Sequence, residues 1–477
     1  MKRKKAICIG IHLLLIFAYF LFYVNNLSSS PLNLKIMGIF GWAQIVISCI
    51  GWKKVTRKFF VPYIIFLIAA YTFCFGQSFL DVFGLISENR SIFDKCSEID
   101  VYRAQFYTLL FLAAFHIGAL AHYKKSVSGI SVVDNATQMT EYKAVSKIGK
   151  ILTTISVVPF LIENFVSFVI VSSYGYRGLY EYNPGIPLWG LITFLSDYFI
   201  PGVLCILLTS KPGSGTQRRI FFMFAAVILI IMYCGGRSQG VVLVAVTLLY
   251  YQNYVKPISK KGWIVLGIGG FFFVSLLSAI AHLRGGTREN YIENIANYRM
   301  ESDSNPFFET ISEMGGSMFP MARTIDLVPR TEPYRYGKTY LYAFSSIIPN
   351  LGFWTIHPAA KNANLGEWLM EKDGLGYGPG YSIVAEAYIN FGVFGFVMMY
   401  ILGLYFSRIL NIDNKKKYKI LSFLISIIFT YMALKMVRNS FIGTVRILVY
   451  YILPIYWYVS YQVKKARTIR PHVYQQP

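Results

Sequence analysis

Charged residues are scarce in this chain, at 14% of 477 residues, whereas a soluble domain carries about 25%. Hydrophobic residues make up 55%, and the mean hydropathy is +0.48. A chain of this composition has no polar segment long enough to fold as a separate soluble domain. The sequence therefore predicts an all-α polytopic membrane protein.

Acidic residues are also few, 23 against 46 basic ones, which gives a formal net charge of +23. Such an excess can indicate a nucleic-acid-binding protein. Here, however, Lys and Arg cluster between apolar segments, where they orient spans in a bilayer. The distribution argues against a nucleic-acid partner and for the lipid bilayer as the surroundings.

Several motifs of soluble and metal-dependent enzymes are missing. The six cysteines are scattered, and all except Cys96 lie in apolar runs. Without CxxC or Cys/His spacing, neither a disulfide framework nor a zinc site is predicted. The chain also has no phosphate-binding loop of the Walker type, no HExxH and no Rossmann glycine motif. We expect no cofactor and no bound metal.

Apolar segments long enough to cross a bilayer are abundant. A span needs about 20 largely apolar residues. Twelve segments qualify, at about 6–24, 34–52, 59–76, 103–122, 149–171, 187–209, 219–235, 239–255, 262–281, 388–408, 419–436 and 441–461. The first resembles a signal peptide but lacks a small-residue cleavage site, so it is interpreted as an uncleaved span. The seventh and eighth, separated by a Gly-rich break, fit two half-helices as an alternative.

Lys and Arg in the connections predict the orientation. Among the short connections they favour the side of the N-terminus by roughly three to one. Both termini are therefore predicted to be cytoplasmic. The predicted organisation is spans 1–9 over 1–281, a large extracytoplasmic loop of short helices over 282–387, spans 10–12 over 388–461 and a cytoplasmic tail over 462–477.

The long loop is polar, aromatic and Gly-rich, and it contrasts with the short connections elsewhere. A large insertion on one face of a membrane scaffold is a place for chemistry. Because little of the chain lies in the cytoplasm, energy from ATP or from sugar nucleotides on the inner face is not expected. An activated substrate already exposed outside, such as a polyprenyl-pyrophosphate-linked sugar, fits this placement.

Arginines at the membrane edge are candidates for binding its pyrophosphate, since a guanidinium matches phosphate oxygens with a planar fork. The candidates are Arg237, in a Gly-rich break, Arg284 and Arg288, at the start of the loop, and Arg446, inside the last span. The alternatives are ion pairs with Glu163 or Asp197, the two acids within spans, or snorkelling at the interface.

Three residues are candidate catalytic bases towards a sugar hydroxyl, Glu386 and His357 before His282. Glu386 lies where the loop re-enters the membrane, and a carboxylate in apolar surroundings is less easily ionised, which suits a base. His357, in the loop, titrates near neutrality. His282 is a third candidate. Alternatively, Glu386 neutralises one of the arginines.

Three stretches resemble a known family. They are GGRSQG at 235–240, YGKTYLYAFSSIIPNLG at 336–352 and GPGYSIVAEAYINFGVFGF at 378–396. Together with the dozen spans and the one large loop, they resemble Wzy-type polymerases of O-antigen and capsular polysaccharide repeat units. The likeness covers roughly 220–410. The spacing of an arginine followed by a distant glycine, found in some members, is not clear here, so the roles of the arginines stay hypotheses.

The resemblance implies a glycosyltransferase in the bacterial cytoplasmic membrane. Such an enzyme would move a growing glycan from undecaprenyl pyrophosphate onto an incoming lipid-linked repeat unit, with a chain-length regulator and a flippase as possible partners. Arg237 and Arg284 would neutralise the leaving pyrophosphate in place of a metal, and Glu386 or His357 would deprotonate the acceptor. Two other functions stay open, an O-antigen ligase-like transferase and a flippase for lipid-linked oligosaccharides.

Overall fold

The computed structural model of the chain describes residues 2–86, 91–123, 135–174, 178–182, 184–234, 237–283, 305–348, 354–375, 378–410, 419–433 and 436–469. Within these ranges the chain is mostly helical and contains no β-strand. The predicted all-α class is confirmed.

The helices up to the long loop are α1 Lys2–Asn25, α2 Pro31–Thr56, α3 Pro62–Asp81, α4 Glu98–His122, α5 Asn135–Tyr174, α6 Gly178–Glu181, α7 Trp189–Ser196, α8 Phe199–Leu208, α9 Gly215–Tyr233, α10 Arg237–Tyr250 and α11 Lys260–Leu283. The loop contributes α12 Pro306–Gly315, α13 Phe319–Leu327, α14 Lys338–Ser345, α15 Pro358–Ala363 and α16 Leu365–Lys372. The chain continues with α17 Ile383–Phe391, α18 Gly395–Leu410, α19 Lys419–Ala433, α20 Ile442–Arg446 and α21 Leu453–Ile469.

Helices lie at all twelve predicted spans. In the described part of the chain, nine are long and apolar enough to cross a membrane: α1 to α5, α7 with α8, α9, α17 with α18, and α20 with α21. The remaining predicted spans coincide with α10, α11 and the shorter α19. The prediction of a polytopic membrane protein is confirmed.

The tenth predicted span begins earlier than the apolar pattern indicated. Its first helix, α17, starts at Ile383 because the Ser382 hydroxyl accepts a hydrogen bond from the Ala385 backbone N–H at 3.2 Å. A serine in this position satisfies one of the N–H groups that a helix start leaves unpaired. Glu386 therefore lies in the first turn of a helix.

The described chain divides into two compact units. Unit 1 comprises Met1–Lys125, Ser304–Asn411 and Met432–Ile447, and unit 2 comprises Ser126–Asp303, Ile412–Tyr431 and Leu448–Pro477. Unit 1 therefore combines the first four helices with the long loop from Ser304 onwards and with α17, α18 and α20, whereas most of α19 and all of α21 belong to unit 2. The second and third segments of unit 1 are distant from the first in sequence. Each is separated from it by a stretch of chain that is longer than the segment itself.

Helices α4 and α18 form the closest packing in unit 1. A side chain added at Gly403 would collide with the Phe115 carbonyl oxygen, and one added at Gly118 would collide with that of Tyr400. Small residues at such crossings let two helix backbones approach, which gains dispersion contacts within a bilayer. These two glycines hold the returning chain against α4.

Unit 2 is organised around α5. This helix packs against α7, α8 and α21. At one end, the Glu141 carboxylate accepts a hydrogen bond from the Leu421 backbone N–H at 2.8 Å. Elsewhere in the unit, the Tyr451 hydroxyl donates to Asp197 at 3.0 Å. Asp197, an acid within a predicted span, therefore has a tyrosine as partner.

Candidate active site where the long loop returns

The long loop docks on the end of α3. Gln77 donates from its side-chain amide to the Ser312 carbonyl in α12 at 2.8 Å. Its amide oxygen accepts from the Ile92 backbone N–H at 2.8 Å. The connection between α3 and α4 and the long loop therefore meet at one end of unit 1. The charge-based topology also places these two connections on one side of the bilayer.

Ion pairs stabilise the loop internally. The Arg323 guanidinium binds Asp373 through two nitrogens, with Nη2 2.7 Å from Oδ1 and Nε 3.0 Å from Oδ2. It also lies 2.5 Å from Asp326. The hydrogen bond to Asp373 raises the pKa of Arg323, so this guanidinium stays charged at any physiological pH. Lys372 pairs with Glu332 at 2.5 Å. These contacts tie α13 to the end of α16.

Glu386 is the buried carboxylate at the point of return. It is 1% exposed. One oxygen accepts a hydrogen bond from the Thr339 hydroxyl at 2.7 Å, and the other accepts one from the Phe441 backbone N–H at 2.6 Å. Both described partners are neutral, so in this part of the chain Glu386 has no arginine within ion-pair distance. The carboxylate joins three separate segments: α14, α17 and the start of α20.

Asn390 completes this network one turn further along α17. Its amide nitrogen donates to the Thr339 hydroxyl at 2.7 Å and to the Glu386 carbonyl at 2.8 Å. Its amide oxygen accepts from the Gly337 backbone N–H at 2.9 Å. Because Thr339 accepts from Asn390 and donates to Glu386, the hydroxyl has a fixed direction. The chain is arranged so that proton donors point at the carboxylate.

Two tyrosines line the same region. Burial, together with the nearby Glu386 charge, raises the pKa of Tyr340 and of Tyr381, so both remain protonated. The Tyr381 hydroxyl shares a hydrogen bond of 2.7 Å with Thr324. The Tyr340 hydroxyl is buried and has no partner among the described residues. The wall next to Glu386 therefore carries hydroxyl donors.

Gly380 enables the close approach of the last segments. Its φ of +74° is one that L side chains rarely adopt. A Cβ at this position would lie 2.8 Å from the Arg438 carbonyl oxygen, which instead accepts from the Tyr381 backbone N–H at 3.0 Å. Glycine at 380 thus brings the entry to α17 against the segment that precedes α20.

His357 is held by backbone groups. It caps the N-terminus of α15, where Nδ1 accepts from the Ala359 N–H at 3.1 Å. Nε2 lies 2.8 Å from the Ile348 carbonyl oxygen, which can only accept, so Nε2 is the donor of this hydrogen bond. The edge of Trp354 packs on the ring, with centroids 5.1 Å apart. Both nitrogens of His357 are therefore engaged.

The structure places the four candidate arginines in different circumstances. Arg446 ends α20 and is exposed. Arg237 is the first residue of α10, and its side chain lies outside the described residues. Arg284 and Arg288 also lie outside them, as does the side chain of His282. Glu386 and His357 both belong to the segments of unit 1: α17, which carries Glu386, and α15, which His357 caps, each contact α14.

Two residues of this region carry no signal in the sequence. Thr339 and Asn390 are ordinary loop and helix residues until tertiary contacts join them to each other and to Glu386. Arg335 is the other omission: its guanidinium lies over the Trp368 ring, with 5.8 Å from Cζ to the centroid. The one available cue was the concentration of aromatic residues around it at 334–342.

Metal ligands do not assemble in the described ranges. No group of three or more His, Cys, Asp or Glu side chains there has an arrangement that would hold an ion. The groups that the described site offers to a substrate are hydroxyls, one buried carboxylate and guanidinium groups. Such a set can accept a proton and bind oxyanions.

Comparison with known proteins relates the chain to one family. A family model described as O-antigen polysaccharide polymerase Wzy matches residues 6–466, which is nearly the whole chain. No curated protein and no solved structure matches it.

Proposed function

The chain belongs to the O-antigen polysaccharide polymerase Wzy family, and from this premise we propose that it transfers a growing glycan from undecaprenyl pyrophosphate onto a lipid-linked repeat unit. The observation that carries the proposal is the match over nearly the whole chain. The reaction takes place at the outer face of the bacterial cytoplasmic membrane, with both termini inside. A flippase that delivers the repeat units and a regulator of chain length are the expected protein partners.

The proposed step is one displacement at the anomeric carbon of the donor. The bond between that carbon and the pyrophosphate oxygen breaks, and a bond to the acceptor hydroxyl oxygen forms. The hydroxyl proton passes to a base, and the lipid leaves as its pyrophosphate. Positive charge develops on the sugar and negative charge on the leaving group. Because the acceptor attacks from the face opposite the leaving group, a single displacement inverts the anomeric centre.

Glu386 is the better supported of the two candidate bases. A carboxylate has about four lone-pair sites, and the two described hydrogen bonds leave the others unused. A neutral histidine has a single ring lone pair, and in His357 the Ala359 N–H already occupies it. Glu386 is 1% exposed in the resting structure, so the proposed step requires the acceptor hydroxyl to enter beside the Thr339 hydroxyl, at one of the unused sites of the carboxylate. His357 is the second candidate.

The pyrophosphate is assigned to Arg237, Arg284, Arg288 and Arg446. Guanidinium groups neutralise the developing charge of a leaving pyrophosphate without a metal ion, because each supplies fixed charge and up to two parallel N–H bonds. The proposed chemistry therefore needs no cofactor. Of the four, Arg446 is the one whose side chain the structure describes, and it is exposed at the end of α20.

A deletion strain complemented with the wild-type gene tests the function. Surface polysaccharide is resolved on gels, and lipid-linked intermediates are extracted and assigned to a membrane face. The proposal expects single repeat units on lipid, exposed outside, with long chains restored by the wild-type gene. Accumulation of repeat units on the cytoplasmic face would instead identify a flippase, and unchanged long chains would exclude polymerisation.

A further inference from the structure

Arginines of the long loop differ in their partners. Three lie in the described ranges 305–348 and 354–375. Arg323 binds Asp373 and Asp326, and Arg330 binds Asp326. Arg335 has no acidic partner among the described residues, and its nearest acid in sequence, Glu332, is paired with Lys372. Among the described arginines of the loop, Arg335 is therefore the one whose charge no acidic side chain neutralises.

Arg335 lies on Trp368 rather than in solvent. Its guanidinium carbon is 5.8 Å from the centroid of the indole ring, a distance typical of a cation–π contact. Both Nε of Arg335 and Nε1 of Trp368 are buried and have no hydrogen-bond partner in the described part of the chain. A buried donor without an acceptor costs about 1–3 kcal/mol. Two neighbouring side chains therefore carry donors for which the described chain supplies no acceptor.

The backbone holds Arg335 in place before any ligand arrives. Its N–H donates to the Ile389 carbonyl at 2.9 Å, and the next N–H, of Tyr336, donates to the Asn390 carbonyl at 3.0 Å. These carbonyls belong to the last turn of α17, where helix carbonyls lack partners within the helix. The segment with Arg335 therefore caps the helix that carries Glu386. Tyr381, the second residue before α17, packs near Trp368, with ring centroids 6.4 Å apart.

We propose that Arg335 and Trp368 form a subsite for an oxyanion of the lipid-linked substrate, next to the Glu386 network. All unpaired groups here are donors, and one of them is a cation, so the ligand is an acceptor with negative charge. Two groups of a lipid-linked oligosaccharide have this chemistry, its pyrophosphate and the carboxylate of an acidic sugar. The proposal rests on the proposed function for the identity of the substrate.

Binding of two small probes to the purified full-length protein tests the subsite. Inorganic pyrophosphate and D-glucuronate are titrated by calorimetry against wild type, Arg335→Gln, Arg335→Lys and Trp368→Phe. Arg330→Gln is the matched control, because Arg330 is a loop arginine whose side chain is 70% exposed and already ion-paired. Melting temperatures of all variants show that each is folded.

We expect Arg335→Gln to bind one of the two probes about tenfold more weakly or worse, while Arg330→Gln binds both as wild type does. A lower affinity for pyrophosphate assigns the subsite to the lipid headgroup, and a lower affinity for glucuronate assigns it to an acidic sugar. Arg335→Lys keeps the charge but not the planar fork, so its affinity for the probe should lie between those of wild type and Arg335→Gln. Trp368→Phe, which keeps a ring but removes the indole N–H, should cause a smaller loss.

Three results would overturn the subsite. They are wild-type protein that binds neither probe, Arg335→Gln that binds both as wild type does, and Arg335→Lys that cannot be distinguished from wild type. None of these depends on polymerisation. Long polysaccharide chains in the deletion strain would contradict the proposed function instead, so the two failures are separable.

Discussion

The Glu386 carboxylate and the Phe441 backbone N–H are 2.6 Å apart, although 55 residues separate them in the chain. This contact joins the helix on which the long loop returns to the start of the last transmembrane segment. The same carboxylate binds Thr339 of the loop. A group with the chemistry of a base therefore also holds three segments together, and its two contributions can be separated by substitution.

Glu386→Gln should abolish polymerisation and preserve the fold. The amide oxygen can accept from Phe441, and the amide nitrogen can donate to the Thr339 oxygen, so both contacts survive. Loss of a general base lowers the rate by about 10²–10⁴-fold. Glu386→Ala should in addition unfold the region, since it leaves two buried donors unpaired at about 1–3 kcal/mol each. Polysaccharide gels and melting temperatures distinguish the variants, and an active Glu386→Gln would remove Glu386 as the base.

His357→Asn should retain activity. Asparagine is a favourable helix cap and can accept the Ala359 N–H as His357 does, so the start of α15 is kept. His357→Ala should lose the cap, at a cost of about 1 kcal/mol, and lower the yield of folded protein. The measurement is chain length on gels at matched membrane levels. An inactive, well-folded His357→Asn would transfer the role of base to this histidine.

Arg237→Ala, Arg284→Ala, Arg288→Ala and Arg446→Ala should each reduce the rate of polymerisation by about a hundredfold if the side chain stabilises the leaving pyrophosphate. The lysine variants should be less impaired, because they keep the charge and lose the fork. Arg219→Ala, at an exposed position of α9, is the control and should behave as wild type does. Accumulation of single repeat units in vesicles is the readout. A variant that polymerises at the wild-type rate would exclude its arginine from the pyrophosphate site.

Gly403→Ala should destabilise unit 1 by about 3 kcal/mol or more, because the added methyl would overlap the Phe115 carbonyl oxygen. Gly10→Ala is the matched control. It makes the same change in a transmembrane helix, and the added methyl there would have no atom within 4 Å. Melting of the detergent-solubilised protein, followed by size-exclusion chromatography, measures both. Equal melting temperatures would show that α4 and α18 do not depend on this close approach.

Cys96 should react slowly with maleimides. Burial raises the pKa of its thiol to about 12, with a smaller opposing effect from Arg323, so almost no thiolate exists at neutral pH. In a variant with Cys96 as the remaining cysteine, labelling should still accelerate about tenfold per pH unit above pH 9, where an ordinary thiol is already ionised. A rate that levels off near pH 9 would mean an ordinary pKa. The same shift predicts that stability falls as pH rises above 9, since the unfolded thiol ionises first.

Local patterns in the sequence are sufficient to predict the class of fold and the positions of the helices, but not the contacts that form the candidate site. A run of about 20 apolar residues is a local property, so helices lie at all the predicted spans. Glu386 is visible for the same reason, as a carboxylate in an apolar run. Its partners Thr339 and Phe441 are far away in sequence, and no period or spacing connects them. Likewise, no pattern in the sequence tells that Arg323 is paired with an acid and that Arg335 has none among the described residues.

The discontinuous composition of unit 1 has a consequence for how the protein is made. Helices α1 to α4 leave the ribosome long before Ser304–Asn411 and Met432–Ile447 exist. At about 5–20 residues per second, the delay is on the order of tens of seconds. During this delay, the face of α4 at Gly118, against which α18 later packs, must contact lipid or a membrane chaperone. Completion of unit 1 is thus a late event in the biogenesis of the protein, and truncation before Ser304 leaves the first four helices without the other two segments of the unit.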